Sequence, residues 1–336
     1  MGESAASGRW PRAALLLGGA ALFAFLVWQI GPRAIVASFG ELGWRLLIVL
    51  VFPFSLITAC DTLGWRFAFR RDRVSFWTLA RARVAGEAVN GTTPTGSVGG
   101  EAVKAWLIRE RVPYRESLPS VIVAKTTITM AQALFLLFGI VVASVALPAR
   151  EAWLLKPMTV LLGLEALAVG GFVYAQMSGM VAGGGKLLER MGLVRAAHHG
   201  LPLRRIDRTL SLFYRRQPVR LALSIGCHFL GWVLSAAETW FILWLLDVPV
   251  SPATAVIIEA CGTAVRFVTF FVPGHLGALE GGNVAVFLAL GLNPAAGMSA
   301  ILIRRVREAA WVGLGLLLLR APARRPSVVP VREAEG

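Results

Sequence analysis

The sequence has few charged residues and few cysteines, and both shortages restrict what the protein can be. Only 16% of its 336 residues are charged, whereas about a quarter of an average soluble protein is charged. The three cysteines, Cys60, Cys227 and Cys261, lie in or beside apolar segments and lack ligand spacing. This pattern argues against a disulfide framework and a metal site, so we interpret them as small buried hydrophobic residues.

Motifs for common catalytic chemistry are also missing. The chain contains no GxSxG, HExxH or paired-carboxylate pattern on which an enzyme could be based. The run from Gly183 to Lys186 fails the phosphate-loop pattern, because leucine follows the lysine where serine or threonine is required. His198 and His199 lack the spacing of metal ligands. We therefore predict no catalytic residue, no metal and no cofactor.

Long apolar stretches dominate the chain instead. Hydrophobic residues make up 56% of it, and the mean hydropathy is +0.67. The apolar runs are near the roughly 20 residues that a spanning helix needs. We predict an all-α integral membrane protein of about six full spans, which are 13–30, 45–64, 119–147, 154–175, 219–246 and 295–319. The first run follows Arg9 and Arg12 as in a signal peptide, but its length favours a retained helix.

Basic residues predict the orientation of these spans. The net charge is +15, and the lysines and arginines cluster between apolar runs, as cytoplasmic loops do. This clustering favours a membrane protein over a nucleic-acid-binding one. We place the segments 64–83 and 104–118, the loop 177–218 and both termini in the cytoplasm. The basic tail 321–336 is predicted to be disordered, and residues 1–320 to form one transmembrane domain.

A polar interruption from Gly91 to Glu101 reads GTTPTGSVGGE. Both of its flanks are basic and therefore prefer the cytoplasm. The stretch 84–103 is too short to cross a bilayer twice at about 1.5 Å per residue. We predict a re-entrant hairpin over 80–108 that enters and leaves on the cytoplasmic side.

A second interruption, PGHLGALEGG, begins at Pro273 and has matched spacing. Glutamate follows each proline by seven residues, at Glu101 and Glu280, and a charged residue precedes each by seven, at Glu87 and Arg266. Paired breaks of this kind are typical of inverted-repeat transporters. We predict a second, inverted hairpin over 255–292. Its arms, 255–272 and 276–292, are also long enough to cross, so eight full spans with one re-entrant hairpin is the alternative.

Charged and glycine-rich positions in these segments are the candidate substrate-binding residues, because charge in lipid is costly and usually functional. Glu259 and Arg266 share a helix face, and Arg304 and Glu308 have the spacing of an intrahelical pair. Glu165 and Glu238 could equally be structural partners of other charges. His275 could be a titrating group or a packed turn residue. The predicted binding residues are Glu87, Asn90, Thr93, Pro94, Gly99, Gly100, Glu101, Lys104, Lys125, Arg266, Pro273, Gly274, His275, Gly277, Glu280 and Arg304.

The two interruptions resemble the signature regions of the lysylphosphatidylglycerol synthase transmembrane-domain, or flippase-like, family. That family's first region has an Asn, a Pro and a glycine-rich link to G-G-[DE]-x-x-[KR], and its second is approximately P-G-G-x-G-x-x-E. His275 departs from the usual glycine. The first pattern is matched at Asn90, Pro94, Gly99, Gly100, Glu101 and Lys104, and the second at Pro273, Gly274, Gly277 and Glu280.

The resemblance implies a bacterial inner-membrane protein that handles lipids, among them aminoacylated phospholipids, polyprenyl-linked sugars and hopanoid-related lipids. Two-domain members append a soluble aminoacyl-transfer domain, whereas only 17 residues follow Leu319 here. We therefore do not expect synthesis of lysylphosphatidylglycerol. We predict a lipid flippase or transporter whose substrate head group enters a polar cavity between the hairpins. The alternatives are a membrane-embedded head-group transferase and a non-transporting partner of lipid-biosynthesis enzymes.

Overall fold

The computed structural model describes residues 43–72, 74–92, 98–178, 203–269 and 277–320, together with Trp28 and Gly40. Within these ranges every regular element is helical, which confirms the all-α class. The helices are α1 Arg45–Val51, α2 Phe54–Phe67, α3 Phe76–Thr92, α4 Val98–Leu107, α5 Tyr114–Ala146, α6 Leu155–Met177, α7 Leu203–Arg216, α8 Pro218–Leu245, α9 Pro252–Val268, α10 Ala278–Ala289 and α11 Pro294–Arg320.

Four helical stretches of the described chain are long and apolar enough to cross a membrane. They are Arg45–Phe67, Tyr114–Ala146, Ala149–Met177 and Pro218–Leu245, and each coincides with a predicted span. The predicted span 295–319 coincides with α11, which carries more charge than these four. The predicted first span, 13–30, lies outside the described residues except for Trp28.

Proline and serine mark where several of these helices begin. Pro218 and Pro252 lie in the first turns of α8 and α9, where a missing N–H costs nothing. Ser251 caps α9 by accepting a hydrogen bond from the Thr254 N–H at 3.0 Å. The short polar turns at these positions therefore separate one helix from the next.

One end of the bundle, which we call the basic end, holds an apolar cluster beneath its exposed arginines. Phe69 after α2, Leu79 near the start of α3 and Ile108 after α4 all pack in this cluster. Leu118 and Leu221, near the starts of α5 and α8, pack against them. The start of α3 and the end of α4 therefore lie at the same end of the molecule.

The opposite end of the bundle holds a second and larger apolar cluster. Leu246 after α8, Val256 near the start of α9 and Leu290 after α10 pack in it, together with Leu147 after α5. Helix α5 runs between the two clusters and is 33 residues long, or about 50 Å. The start of α9 and the end of α10 therefore also lie together, but at the end away from the basic one.

Packing between helices follows a repeated pattern. Helices α2 and α8 pack against each other, α3 packs against α11, and α9 packs against α5. The pairs α3/α4 and α9/α10 also pack within themselves. Four consecutive helices, α2 to α5, thus have contacts similar to those of a second set of four, α8 to α11.

The loop predicted at 177–218 contains a helix that the sequence analysis did not foresee. Helix α7 buries Ile206, Leu210 and Phe213 in the cluster of the basic end. The Tyr214 hydroxyl donates to Gln176 of α6 at 2.9 Å, and the Gln176 amide donates to Thr126 of α5 at 3.0 Å. Arginines on the other face of α7 hid this amphipathic character within a run of basic residues.

Helix α3 extends further into the first polar interruption than the sequence indicated. Asn90, Gly91 and Thr92 were predicted to turn, yet α3 continues through them. The Thr92 hydroxyl donates to the Ala88 carbonyl at 2.8 Å within this last turn. The predicted site residues Thr93, Pro94, Pro273, Gly274 and His275 lie outside the described residues.

Candidate functional site

A polar cleft opens where α3 and α4 meet α5. The cleft encloses about 330 Å³, including its open mouth. Its charged lining is Arg83, Glu87, Glu101, Lys104 and Lys125. We call it cleft 1. It brings together four of the predicted binding residues and adds Arg83.

Lys104 holds the two helices of cleft 1 together. Its ammonium donates to Glu87 of α3 at 2.6 Å and to Glu101 of α4 at 2.9 Å. The Lys104 side chain is only 5% exposed, whereas Glu87 is 49% exposed. The Lys104 ammonium is therefore buried against the carboxylates of Glu87 and Glu101, and Glu87 faces the cleft.

The backbones of α3 and α4 approach closely beside this ion pair. Asn90 accepts a hydrogen bond from the Gly100 N–H at 2.8 Å. A Cβ at Gly100 would collide with the Gly86 carbonyl and with Asn90. The predicted roles of Asn90 and Gly100 in this site are therefore structural in part, because they let the two short helices meet.

Lys125 is the accessible cation of cleft 1. It is exposed, and within the described part of the chain its ammonium makes no ion pair. Its charge acts on Glu87 across the cleft. An anionic group that entered cleft 1 would therefore meet Lys125 without displacing an existing partner.

Three titratable groups, Arg83, Asp61 and His228, lead from cleft 1 into the protein, and the sequence analysis missed their roles. Arg83 donates to Asp61 of α2 at 2.7 Å, and Asp61 lies 2.8 Å from Nδ1 of His228 on α8. Arg83 was predicted to be a cytoplasmic loop residue because it ends a run of arginines. It is instead a largely buried residue of α3.

A second cleft, cleft 2, lies near the opposite end between α8, α9, α10 and α11. It encloses about 390 Å³, including open space, and is lined by Glu259, Arg266, Asn283 and Arg304 among others. Glu259 is 2% exposed and accepts from Arg304 at 2.8 Å, from Thr239 at 2.8 Å and from Arg266 at 3.4 Å. The predicted common face of Glu259 and Arg266 is confirmed.

Arg266 is the more accessible cation of cleft 2, because 28% of its side chain is exposed. Arg304 is more buried, and besides Glu259 it contacts Glu238 at 3.3 Å. The same Glu238 is bound by Arg307, whose guanidinium lies 4.1 Å from the ring centre of Phe54. Glu238 thus pairs with two arginines, which is the structural role that the sequence allowed for it.

Arg304 does not form the intrahelical ion pair with Glu308 that its spacing allowed. Glu308 instead contacts Arg305 at 3.3 Å and Arg307 at 3.9 Å. Arg304 points to the other side of α11, where the two buried carboxylates Glu259 and Glu238 attract it. Interhelical geometry, which sequence spacing does not contain, decided between these partners.

Two other predicted residues shape the second broken pair. Glu280 is fully buried and accepts from Arg305 at 2.9 Å. Gly277 precedes α10 with φ of 75°, a conformation that residues with a Cβ rarely adopt. Among the remaining acids, Glu165 is buried in α6, and its Oε1 has no hydrogen-bond partner in the described chain.

The sequence model of the lysylphosphatidylglycerol synthase TM region matches residues 12–315. The chain belongs to this family. Comparisons with curated proteins and with solved structures gave no match. Membership of the lysylphosphatidylglycerol synthase TM-region family confirms the resemblance inferred from the two interruptions, and it associates the membrane domain with lipid-related functions.

One cation in each cleft of this family member follows a matched spacing in the sequence. Arg304 follows Glu280 by the same number of residues as Lys125 follows Glu101. Lys125 lies on α5 beside the first broken pair, and Arg304 lies on α11 beside the second. Each cleft thus takes one cation from the long helix that follows its broken pair.

Proposed function

We propose that the protein is a lipid transporter that moves a polar-headed lipid across the bacterial inner membrane. One observation carries this proposal: two polar clefts lie in different halves of an apolar bundle, and each is built on a broken helix pair. Such breaks are the positions at which membrane transporters bind substrates. The lipid would place its head group in a cleft while its acyl chains stay in the bilayer.

The helix ends support two re-entrant hairpins of opposite direction. The outer ends of α3 and α4 share the apolar cluster of the basic end, and those of α9 and α10 share the cluster of the other end. The repeated packing of α2–α5 and α8–α11 favours an inverted repeat. With the basic end in the cytoplasm, cleft 1 would serve the inner leaflet and cleft 2 the outer one.

The exposed cations favour a head group that contains an anionic phosphate. Lys125 and Arg266 are the accessible ones, whereas Lys104 and Arg304 are themselves buried and each is paired with two carboxylates. A guanidinium or ammonium binds phosphate through charge-assisted hydrogen bonds, which are roughly twice as strong as neutral ones. We assign phosphate binding to Lys125 and Arg266, and we assign to Lys104 and Arg304 the positioning of the clefts.

A vesicle assay tests this assignment. Protein reconstituted into liposomes with a fluorescent anionic phospholipid should move the label between leaflets, as measured by quenching of the outer leaflet. Lys125→Gln and Arg266→Gln should each slow the movement about tenfold or more, because each removes a charged contact worth about 1.5–3 kcal/mol. The matched controls are Lys156→Gln and Arg320→Gln, which change exposed residues outside the clefts.

The controls should transport at the wild-type rate when equal amounts of folded protein are reconstituted. Equal rates in all five proteins would refute the residue assignment. No movement above protein-free liposomes, with this lipid or with a neutral one, would refute transport itself.

A further inference from the structure

A continuous series of charged groups leads from cleft 1 to a buried histidine. Lys104 joins Glu101 to Glu87, and Arg83 lies 4.0 Å from Glu87 and 2.7 Å from Asp61. Asp61 in turn contacts His228, and the series crosses α4, α3, α2 and α8. A change of charge at His228 can therefore reach the cleft through neighbouring pairs.

His228 has an asymmetric environment. Its side chain is 0% exposed, and its Nδ1 lies 2.8 Å from Asp61 Oδ1. A carboxylate only accepts hydrogen bonds, so Nδ1 carries the proton of the neutral ring and Nε2 carries a lone pair. Nε2 has no partner in the described chain. It faces Gly64, where an added Cβ would lie 2.5 Å away.

This conformation disfavours a second proton on His228. The new Nε2–H would be a buried donor without an acceptor, which is costly. The charge of Asp61 is already balanced by Arg83, and Lys104 adds a further positive charge nearby. An imidazolium would thus be an uncompensated buried cation unless Arg83 moved.

A second pairing is available to Arg83. A guanidinium nitrogen of Arg83 lies 4.0 Å from Glu87 Oε1. If Arg83 paired with Glu87, Lys104 would still have its ion pair with Glu101. In that arrangement Asp61 pairs with the imidazolium, and each carboxylate retains a cation. The proton would add one positive charge to the network that lines cleft 1, which strengthens its attraction for an anionic group.

We propose that Asp61 and His228 form a proton-binding site, and that proton binding there shifts Arg83 towards Glu87 and favours a second conformation of cleft 1. A proton that binds one of two conformations more tightly shifts their populations. The site takes the proton as its ligand, and only the coupling of that proton to lipid movement rests on the proposed function.

Hydrogen exchange of the whole chain in lipid nanodiscs tests the site. After correction for intrinsic exchange, amides of α2 and α8 around Asp61 and His228 should exchange about threefold faster or more at about pH 5 than at about pH 7.5. His228→Gln, which keeps a donor for Asp61 and cannot be protonated, should abolish this response. Peptides of α6 serve as an internal control. An equal response in the variant, or none in the wild type, would overturn the proposal.

A second measurement does not depend on the folding of that variant. In a chain with His198, His199 and His275 replaced by Gln, nitrogen NMR of the remaining histidine reports its protonation directly. Gain of a proton by about pH 5 is expected, later in the titration than for a free imidazole because the neutral conformation disfavours the charged ring, and a ring that stays neutral refutes the site. A protein that gains this proton but moves no lipid would retain the proton site and lose the proposed transport function.

Discussion

The cationic residues of the two clefts differ in how accessible their charged groups remain to a ligand. Arg304 is held by Glu259 and Glu238, and Lys104 by Glu87 and Glu101. Cations enclosed in this way fix the geometry of the clefts. Lys125 is more accessible, and so it can meet a ligand. Burial and pairing, rather than charge alone, therefore separate positioning residues from binding residues.

Replacing Arg304 by leucine should destabilise the protein by about 3 kcal/mol. The two buried carboxylates lose a shared cation, and breaking a buried pair from one side costs about 3–5 kcal/mol. We expect the lower end of this range because Arg266 and Arg307 remain beside them. Unfolding in detergent measures the loss, with the exposed Arg320→Leu as matched control at about ±0.5 kcal/mol. Similar stability of the two variants would contradict the role of Arg304.

At the scale of helices, short elements are stabilised by contacts with their neighbours. Helices α4 and α10 have 10 and 12 residues, which is marginal for an isolated helix. The Lys104 ion pairs and the hydrogen bond between Asn90 and Gly100 hold α4 to α3. Helix α7 is likewise held by its buried apolar face and by Tyr214.

Tyr214→Phe should loosen α7 selectively. The change removes the hydrogen bond to Gln176, worth about 1 kcal/mol, and leaves the aromatic packing in place. Hydrogen exchange should become about fivefold faster in α7, with α5 unchanged. Tyr174→Phe on α6 is the matched control, because that side chain is 69% exposed. Unchanged exchange in α7 would show that the hydrogen bond does not hold the helix.

At the scale of the whole molecule, the first broken pair begins and ends at the basic end of the bundle. The second broken pair begins and ends at the opposite end. Ser75 and Glu110 flank the first pair, and Asp247 and Asn293 flank the second, and all four are exposed. If the pairs are inverted re-entrant hairpins, these flanks face opposite sides of the membrane. The end of α3 at Thr92, and Thr269 directly after α9, would then lie within the membrane.

Single cysteines in a chain without its native cysteines test this arrangement in intact cells. A membrane-impermeant maleimide should label Asp247→Cys and Asn293→Cys from outside, and Ser75→Cys and Glu110→Cys only after permeabilisation. Thr269→Cys distinguishes the two topologies of the second pair. It would be labelled from the cytoplasm if α9 were a full span, and we expect no cytoplasmic labelling. Labelling of all four flanks from one side would refute the inversion.

The sequence by itself determined the helical class, the four described spans and the positions of the two polar interruptions. These features depend on local properties: the length of an apolar run must match the bilayer, and polar segments that contain proline and glycine interrupt such runs. The spacing of Glu101 and Glu280 from the two prolines needed no structure either. Membership of the family followed from the same two segments.

Only the tertiary structure decided which charges meet. The sequence placed Arg83 at the end of a basic loop, whereas in the structure it pairs with Asp61. Arg304 pairs with Glu259 and Glu238 on other helices and not with Glu308 on its own helix. Helix α7 was hidden for a related reason, since its apolar residues are recognisable only once the bundle provides a surface for them. Such partners come from helices distant in the chain, and the cost of leaving a buried charge unpaired makes their packing decisive.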